Sequence, residues 1–135
     1  MPDIIATYEG QKRVLATNPR SGRSLTFDQA APKGRGESYD PVEGLMASLA
    51  GCTMTMIAYA AEANGLDIQG ASIQADCKMV ENPHRIGSVE LIVDMPPVAY
   101  TDTQKKVIQK YAERCPVGMA LADSIEKKLV INWPA

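Results

Sequence analysis

Pro41-Val-Glu-Gly-Leu-Met-Ala-Ser-Leu-Ala-Gly-Cys52-Thr-Met-Thr-Met56 is the stretch on which the fold turns. Asp40 ahead of it suits an N-cap, Pro41 is tolerated at the first helical position, and Glu43 places a carboxylate where it complements the helix dipole. The pattern runs to about Ala63 and stops at Asn64-Gly65, a C-terminal signal. In between, Leu45, Met46, Leu49, Ala50, Met54, Ile57, Ala58, Ala60 and Ala61 leave little polar face, so the spacing predicts a helix buried on most sides. Its Ala, Gly and Ser positions let another element approach the backbone. Ser48, Gly51, Thr53 and Thr55 break the apolar run from Leu45 to Ala61, which reads as a core helix, too short and too mixed to span a membrane.

Upstream, short strands are predicted at Ile4 to Glu9, Arg13 to Asn18 and Ser24 to Asp28, with turns at Gly10 and Asn18-Pro-Arg-Ser-Gly22. Gln29 to Asp40, carrying Pro32, Gly34 and Gly36, reads as a loop. Downstream, Ala71 to Val80 and Ser88 to Asp94 are longer strands joined by a hairpin loop, Glu81 to Gly87. In the first, Ser72, Gln74, Asp76 and Lys78 alternate with Ile73, Ala75, Cys77 and Met79, a sheet with one wet face. Cys77 falls on the apolar side, where a small buried hydrophobe is expected. Thr101-Asp-Thr-Gln104 has the form of a capping box. The helix after it turns Val107, Ile108, Tyr111 and Ala112 inward and Lys105, Lys106 and Lys110 outward. A further helix is expected from Val117 to about Lys127, then a terminal strand from Leu129 to Trp133. This order implies an α+β fold, with helices on a mostly antiparallel sheet.

The chain's 135 residues suit a single domain, 1–135, and 45% hydrophobic with 22% charged residues is ordinary for a soluble globular protein. A net charge of −2 gives no support to a nucleic-acid surface. Arg13, Arg20, Arg23, Lys33 and Arg35 make the N-terminal region locally basic without an aromatic stacking series, so a solvated face is the simpler reading. Met1-Pro-Asp-Ile-Ile5 lacks the basic and apolar regions of a signal peptide, and a cytoplasmic setting is expected. Three cysteines there are no secreted disulfide framework, although a transient catalytic disulfide suits that compartment.

The chemistry rests on two cysteines in different settings. Cys52 lies within the small-residue helix; Cys115 precedes Pro116 at a predicted helix start, where the macrodipole favours thiolate. Far apart in sequence, they form no C-x-x-C motif. Three scattered cysteines and His84 lack zinc-ligand spacing, and no G-x-S-x-G elbow supports a serine hydrolase. No cofactor or metal is expected. From spacing alone, core packing and a redox pair both remain open.

Taken with their flanks, these residues resemble the OsmC/Ohr family of thiol-dependent proteins. The resemblance rests on Pro41-Val-Glu-Gly-Leu-Met-Ala-Ser-Leu-Ala-Gly-Cys52 and on Cys115-Pro-Val117, with the order of elements matching from about residue 3 to residue 133. It implies an OsmC-like fold in which antiparallel sheets wrap two long central helices in an intertwined homodimer. The active sites would lie at the subunit interface, one subunit's N-terminal strands completing the other's cysteine pair. It also implies reduction of organic hydroperoxides. Cys52 attacks the peroxide and becomes a sulfenic acid, Cys115 resolves it as a disulfide, and an external dithiol restores the pair. Family peroxidases add an arginine from the early strands, held by a glutamate near the helix start. Arg13 is the nearest match, with Lys12 adjacent, and Glu43 stands one residue beyond the expected place, a rotation of about 100°. Glu43 thus also reads as a helix-start carboxylate. An apolar pocket of Met and Leu side chains from the helix would favour bulky organic peroxides. The competing readings are a non-peroxidase binding protein and a redox sensor or thiol–disulfide exchanger using the same pair.

Overall fold

The computed structural model describes all residues from Met1 to Ala135. In chain order it holds β1 (Ile5–Gly10), β2 (Arg13–Thr17), β3 (Ser24–Asp28), α1 (Pro41–Ala63), β4 (Ser72–Val80), β5 (Arg85–Asp94), α2 (Asp102–Ala112), α3 (Pro116–Met119) and β6 (Glu126–Asn132). The fold is α+β, as the pattern of residues implies. It divides into two compact units, Met1–Leu45 and Met46–Ala135, the boundary falling in the first turns of α1.

The first unit is an antiparallel meander, β1-β2-β3. Gln11 and Lys12, at φ 54° and 63°, both adopt the left-handed conformation in the β1–β2 turn. Two such residues in succession match the twist of the flanking strands. After β3 the loop folds back so that Tyr39 pairs with Phe27. Asp28 organises it: its carboxylate accepts the N–H of Arg35 at 3.2 Å and of Glu37 at 3.0 Å. At the start of α1, Asp40 and Glu43 cap reciprocally. The Glu43 N–H donates to the Asp40 carboxylate at 2.8 Å and the Asp40 N–H to the Glu43 carboxylate at 2.9 Å. Gly44 is small because the Phe27 ring lies where its Cβ would stand.

The second unit is the sheet β4-β5-β6 with most of α1, α2 and α3. β4 and β5 form a long antiparallel hairpin, whereas β6 runs parallel to β5. The core gathers Ile57, Ala60 and Ala61 of α1 with Val93 and Met95 and with Ile108 and Ala112 of α2. Ile57, Val93 and Ile108 are fully buried, each contributing about 1.5–3 kcal/mol of transfer free energy.

Several expectations need correction. The helix predicted from Val117 to Lys127 is one short turn, Pro116–Met119, and β6 begins at Glu126. Lys127 and Lys128 sit beside Val89 and Glu90 in the ladder, and Lys128 pairs with Glu90 at 3.4 Å, so strand pairing outweighs helix propensity there. β5 starts at Arg85, three residues early, because a bulge at Lys78/Met79 lets Met79 and Val80 pair with Ile86 and Arg85. Tyr111 is exposed, and Lys105 lies with its ammonium 5.8 Å from the Trp133 ring centroid. Nor does the chain bury α1 on most sides. It covers one stripe, Met46, Leu49, Thr53, Ile57, Ala60 and Ala61, and leaves Ala47, Ser48, Gly51, Thr55 and Tyr59 exposed. At 23 residues α1 is long and apolar enough to cross a membrane by length and composition. Its place in the core, rather than its length, marks it as a core helix.

Candidate active site

Successive residues of α1 face different surroundings. Cys52 is half-buried, whereas Thr53, about 100° further round the helix, is 1% exposed in the apolar stripe. Cys115 comes to them from the end of α2 and is 2% exposed. It takes an extended conformation, φ −66° and ψ 140°, and caps α3 with its sulfur, which accepts the Gly118 N–H at 3.2 Å. The Thr53 hydroxyl is 3.5 Å from the same sulfur. A Cβ at Gly118 would approach that sulfur to 3.1 Å, so a glycine there leaves the seat open.

The Cys115 thiol lies close enough to Cys52 to influence its ionisation, as does the Val117 N–H. The structure therefore brings together the two thiols that lie in unrelated elements of the sequence. Burial pushes the Cys52 thiol above its ordinary value of 9.0, the Val117 N–H opposes that rise, and the adjacent Cys115 thiol adds to it. The direction is opposite to the one a cation–thiolate contact would produce.

Arg13 and Glu43 belong to the first unit and do not pair with each other. Arg13, on β2, meets Glu37 at 3.3 Å, and Arg35 meets the same carboxylate oxygen at 3.3 Å. The carboxylate of Glu43 serves the α1 cap instead. Beneath this cluster Asp28 is 1% exposed. The Glu37 N–H first, then the Arg35 N–H and the charges of Arg13 and Arg35, hold its carboxyl below the usual 3.8 against the opposing effect of burial. Lys12 sits in the β1–β2 turn, its N–H donating to the Tyr8 hydroxyl at 3.2 Å. Cys77 is half-buried on β4 opposite Val89. His84 lies exposed in the hairpin loop with its Nδ1 2.9 Å from Glu81. No three His, Cys, Asp or Glu side chains converge into a set that could hold a metal ion.

A cavity of about 330 Å³ lies in the second unit, with Cys115 and Thr53 in its wall and Leu49, Leu91, Met119 and Leu121 giving it an apolar character. From α1 it draws Leu49 and Thr53 but none of the helix methionines, because Met46 is packed inside and Met54 turns toward the core. The sheet and the α3 region supply the rest. Cys115, rather than Cys52, faces this space.

Chemically the arrangement can form and break one disulfide. Two thiols lie near each other, one half-buried and one nearly sealed, with the Gly118 N–H and the Thr53 hydroxyl at the Cys115 sulfur. The sequence pattern pointed to Cys52 and Cys115 but missed Thr53, Gly118 and Glu37. Thr53 had a signal, since it is a hydroxyl on the buried stripe of an otherwise apolar helix face. Glu37 had none, because loop geometry alone carries it to Arg13.

The family model described as OsmC-like protein matches residues 34–130. No curated protein matches the chain in sequence. Among solved structures, the chain is similar to a Psychrobacter arcticus protein named for osmotic stress induction and detoxification response. The TM-score is 0.91 and the identity 27%, over 98% of this chain and 96% of that one. The organic hydroperoxide resistance protein OsmC of Legionella pneumophila shares the fold with a TM-score of 0.75 and 17% identity, over 98% of each chain. The organic hydroperoxide resistance protein OhrB of Bacillus subtilis does so with a TM-score of 0.70 and 19% identity, over 96% of this chain and 97% of that one.

Proposed function

This chain belongs to the OsmC-like protein family, and we propose that it reduces organic hydroperoxides with Cys52 as the attacking thiol and Cys115 as its resolving partner. The observation that carries the reading is the closeness of the two thiols, near enough for Cys115 to shift the ionisation of Cys52. A sulfenic acid formed on Cys52 would have a thiol already beside it, which protects it from further oxidation. Relatives named for organic hydroperoxide resistance share the fold and support the substrate class.

In the proposed cycle the Cys52 thiolate attacks one peroxide oxygen and the O–O bond breaks, releasing the alcohol and leaving Cys52 as a sulfenic acid. Cys115 displaces water to form the disulfide, and an external dithiol returns two electrons. The raised Cys52 pKa limits the thiolate fraction at neutral pH, so the reading requires a cation at the sulfur. Arg13 is the proposed source, with Glu37 as the carboxylate that orients it in place of Glu43. A homodimer would supply the shared site. It would also cover Ile5, Tyr8 and Leu25 of the first sheet and Tyr59 of α1, which the single chain leaves exposed. A cytoplasmic location goes with this thiol chemistry.

One observation favours a second reading. The apolar cavity opens on Cys115, and together with the raised Cys52 pKa it would suit a binding protein or a slow thiol–disulfide exchanger. Thiol counting separates the two. One equivalent of cumene hydroperoxide should remove two thiols rapidly from the reduced wild type and leave Cys52→Ser untouched. In Cys115→Ser it should build a trappable sulfenic acid at Cys52. Thiol loss no faster than in air would sink the peroxidase and leave the exchanger or binding protein.

A further inference from the structure

We infer that Thr53 is the hydrogen-bond donor that lets the Cys115 sulfur depart when the disulfide is reduced, so that the external dithiol attacks Cys52 and Cys115 leaves. The inference rests on the proposed disulfide and specifies its reductive half.

Accessibility decides which sulfur is attacked. Cys52 is half-buried while Cys115 is 2% exposed, and thiol–disulfide exchange proceeds at the sulfur a thiolate can reach. The rate then depends on how well the other sulfur carries the electron pair of the broken bond, because a better stabilised thiolate leaves faster. Two groups able to donate meet Cys115: the Gly118 N–H at 3.2 Å and the Thr53 hydroxyl at 3.5 Å. For a thiol, either partner of the Thr53–Cys115 pair can donate. A thiolate has no proton, so on departure the hydroxyl has only one direction to give.

The placement of Thr53 supports this role. It is 1% exposed on the stripe that otherwise holds Met46, Leu49, Ile57, Ala60 and Ala61. A hydroxyl there costs desolvation that a valine would avoid. Thr55, one half-turn on, bonds back to the Gly51 carbonyl of its own helix at 2.7 Å; Thr53 instead meets the cysteine of another element.

The step balances. One thiolate of the dithiol attacks the Cys52 sulfur, the Cys52–Cys115 bond breaks, and its electron pair stays on Cys115, which later takes a proton from solvent. The second thiol of the reductant loses its proton to solvent and displaces Cys52, which is then protonated. The dithiol leaves as a cyclic disulfide, having given two electrons to the pair.

The test uses the full-length protein oxidised with diamide, which makes the disulfide whether or not peroxide does, and dithiothreitol as reductant. Thr53→Val should slow reduction by about tenfold, as expected for losing a hydrogen bond to a charged sulfur. Thr53→Ser should restore it, and alkylation of Cys52 in the reduced variants should stay within about twofold of wild type. Oxidised wild type treated with glutathione and then unfolded in acidic denaturant containing a maleimide, which blocks exchange and reaches the sealed thiol, should carry glutathione on Cys52 and the maleimide on Cys115. A wild-type reduction rate in Thr53→Val, equal slowing in Thr53→Ser, or glutathione on Cys115 would overturn the inference, as would a pair that diamide cannot oxidise. Failure of peroxide alone to oxidise the wild type would instead sink the peroxidase reading.

Discussion

The Gly118 N–H and the Cys115 sulfur are 3.2 Å apart, and a methyl group on Gly118 would come within 3.1 Å of that sulfur. Gly118→Ala must therefore push the sulfur or the short α3 turn by a few tenths of an ångström, since Leu49 lies 3.5 Å from the same methyl position. Overpacking of this kind costs about 1–3 kcal/mol. Urea unfolding should show that loss, and diamide should form the Cys52–Cys115 disulfide more slowly. Unchanged kinetics of disulfide formation would mean that the sulfur seat tolerates the shift.

Cys52 should titrate above the ordinary thiol value of 9.0, chiefly because of burial and further because of Cys115. In the unpartnered chain, iodoacetamide alkylation of Cys52, followed by mass spectrometry, should still be rising at pH 9 rather than levelling off. Cys115→Ala removes one of the raising influences and should move the profile to lower pH. The linkage has a definite sign. The unfolded thiol ionises at lower pH than the folded one, so this group contributes stability below the unfolded pKa and loses it as pH rises through the folded value. A plateau below pH 8 would show that a cation at the site overrides the burial.

The two candidate glutamates, Glu37 and Glu43, make opposite predictions. Glu43 accepts the Asp40 N–H, and Glu37 accepts Arg13. Glu43→Gln keeps an oxygen for the cap and should be close to wild type in stability, while Glu43→Ala should lose about 1 kcal/mol in urea unfolding. Glu37→Gln should slow peroxide-driven thiol loss without weakening the helix start. Slow thiol loss in Glu43→Gln would return the arginine-holding role to Glu43.

Much of the architecture was legible because its signals are local. Asp40-Pro41 and Asn64-Gly65 bracket α1, and Thr101 with Gln104 forms the capping box that its spacing announces. The alternation in β4 likewise places Ile73, Ala75 and Cys77 on its half-buried side. What failed depended on partners. Residues 117–127 read as helical by propensity, but Lys127 and Lys128 are held extended by β5, and no local pattern reports a neighbouring strand. For the same reason β6 could not be known to run parallel.

Sequence alone determined the family, the α1 boundaries and the two cysteines worth watching, because caps, periodicity and flanking motifs are carried by residues near one another in the chain. Tertiary structure alone decided that Cys115 meets Thr53 and Cys52, that Arg13 meets Glu37 rather than Glu43, and that the nearly sealed sulfur faces the cavity. Those facts are contacts between distant segments. Their distances follow from how helix, strand and loop pack, which no single stretch of residues encodes.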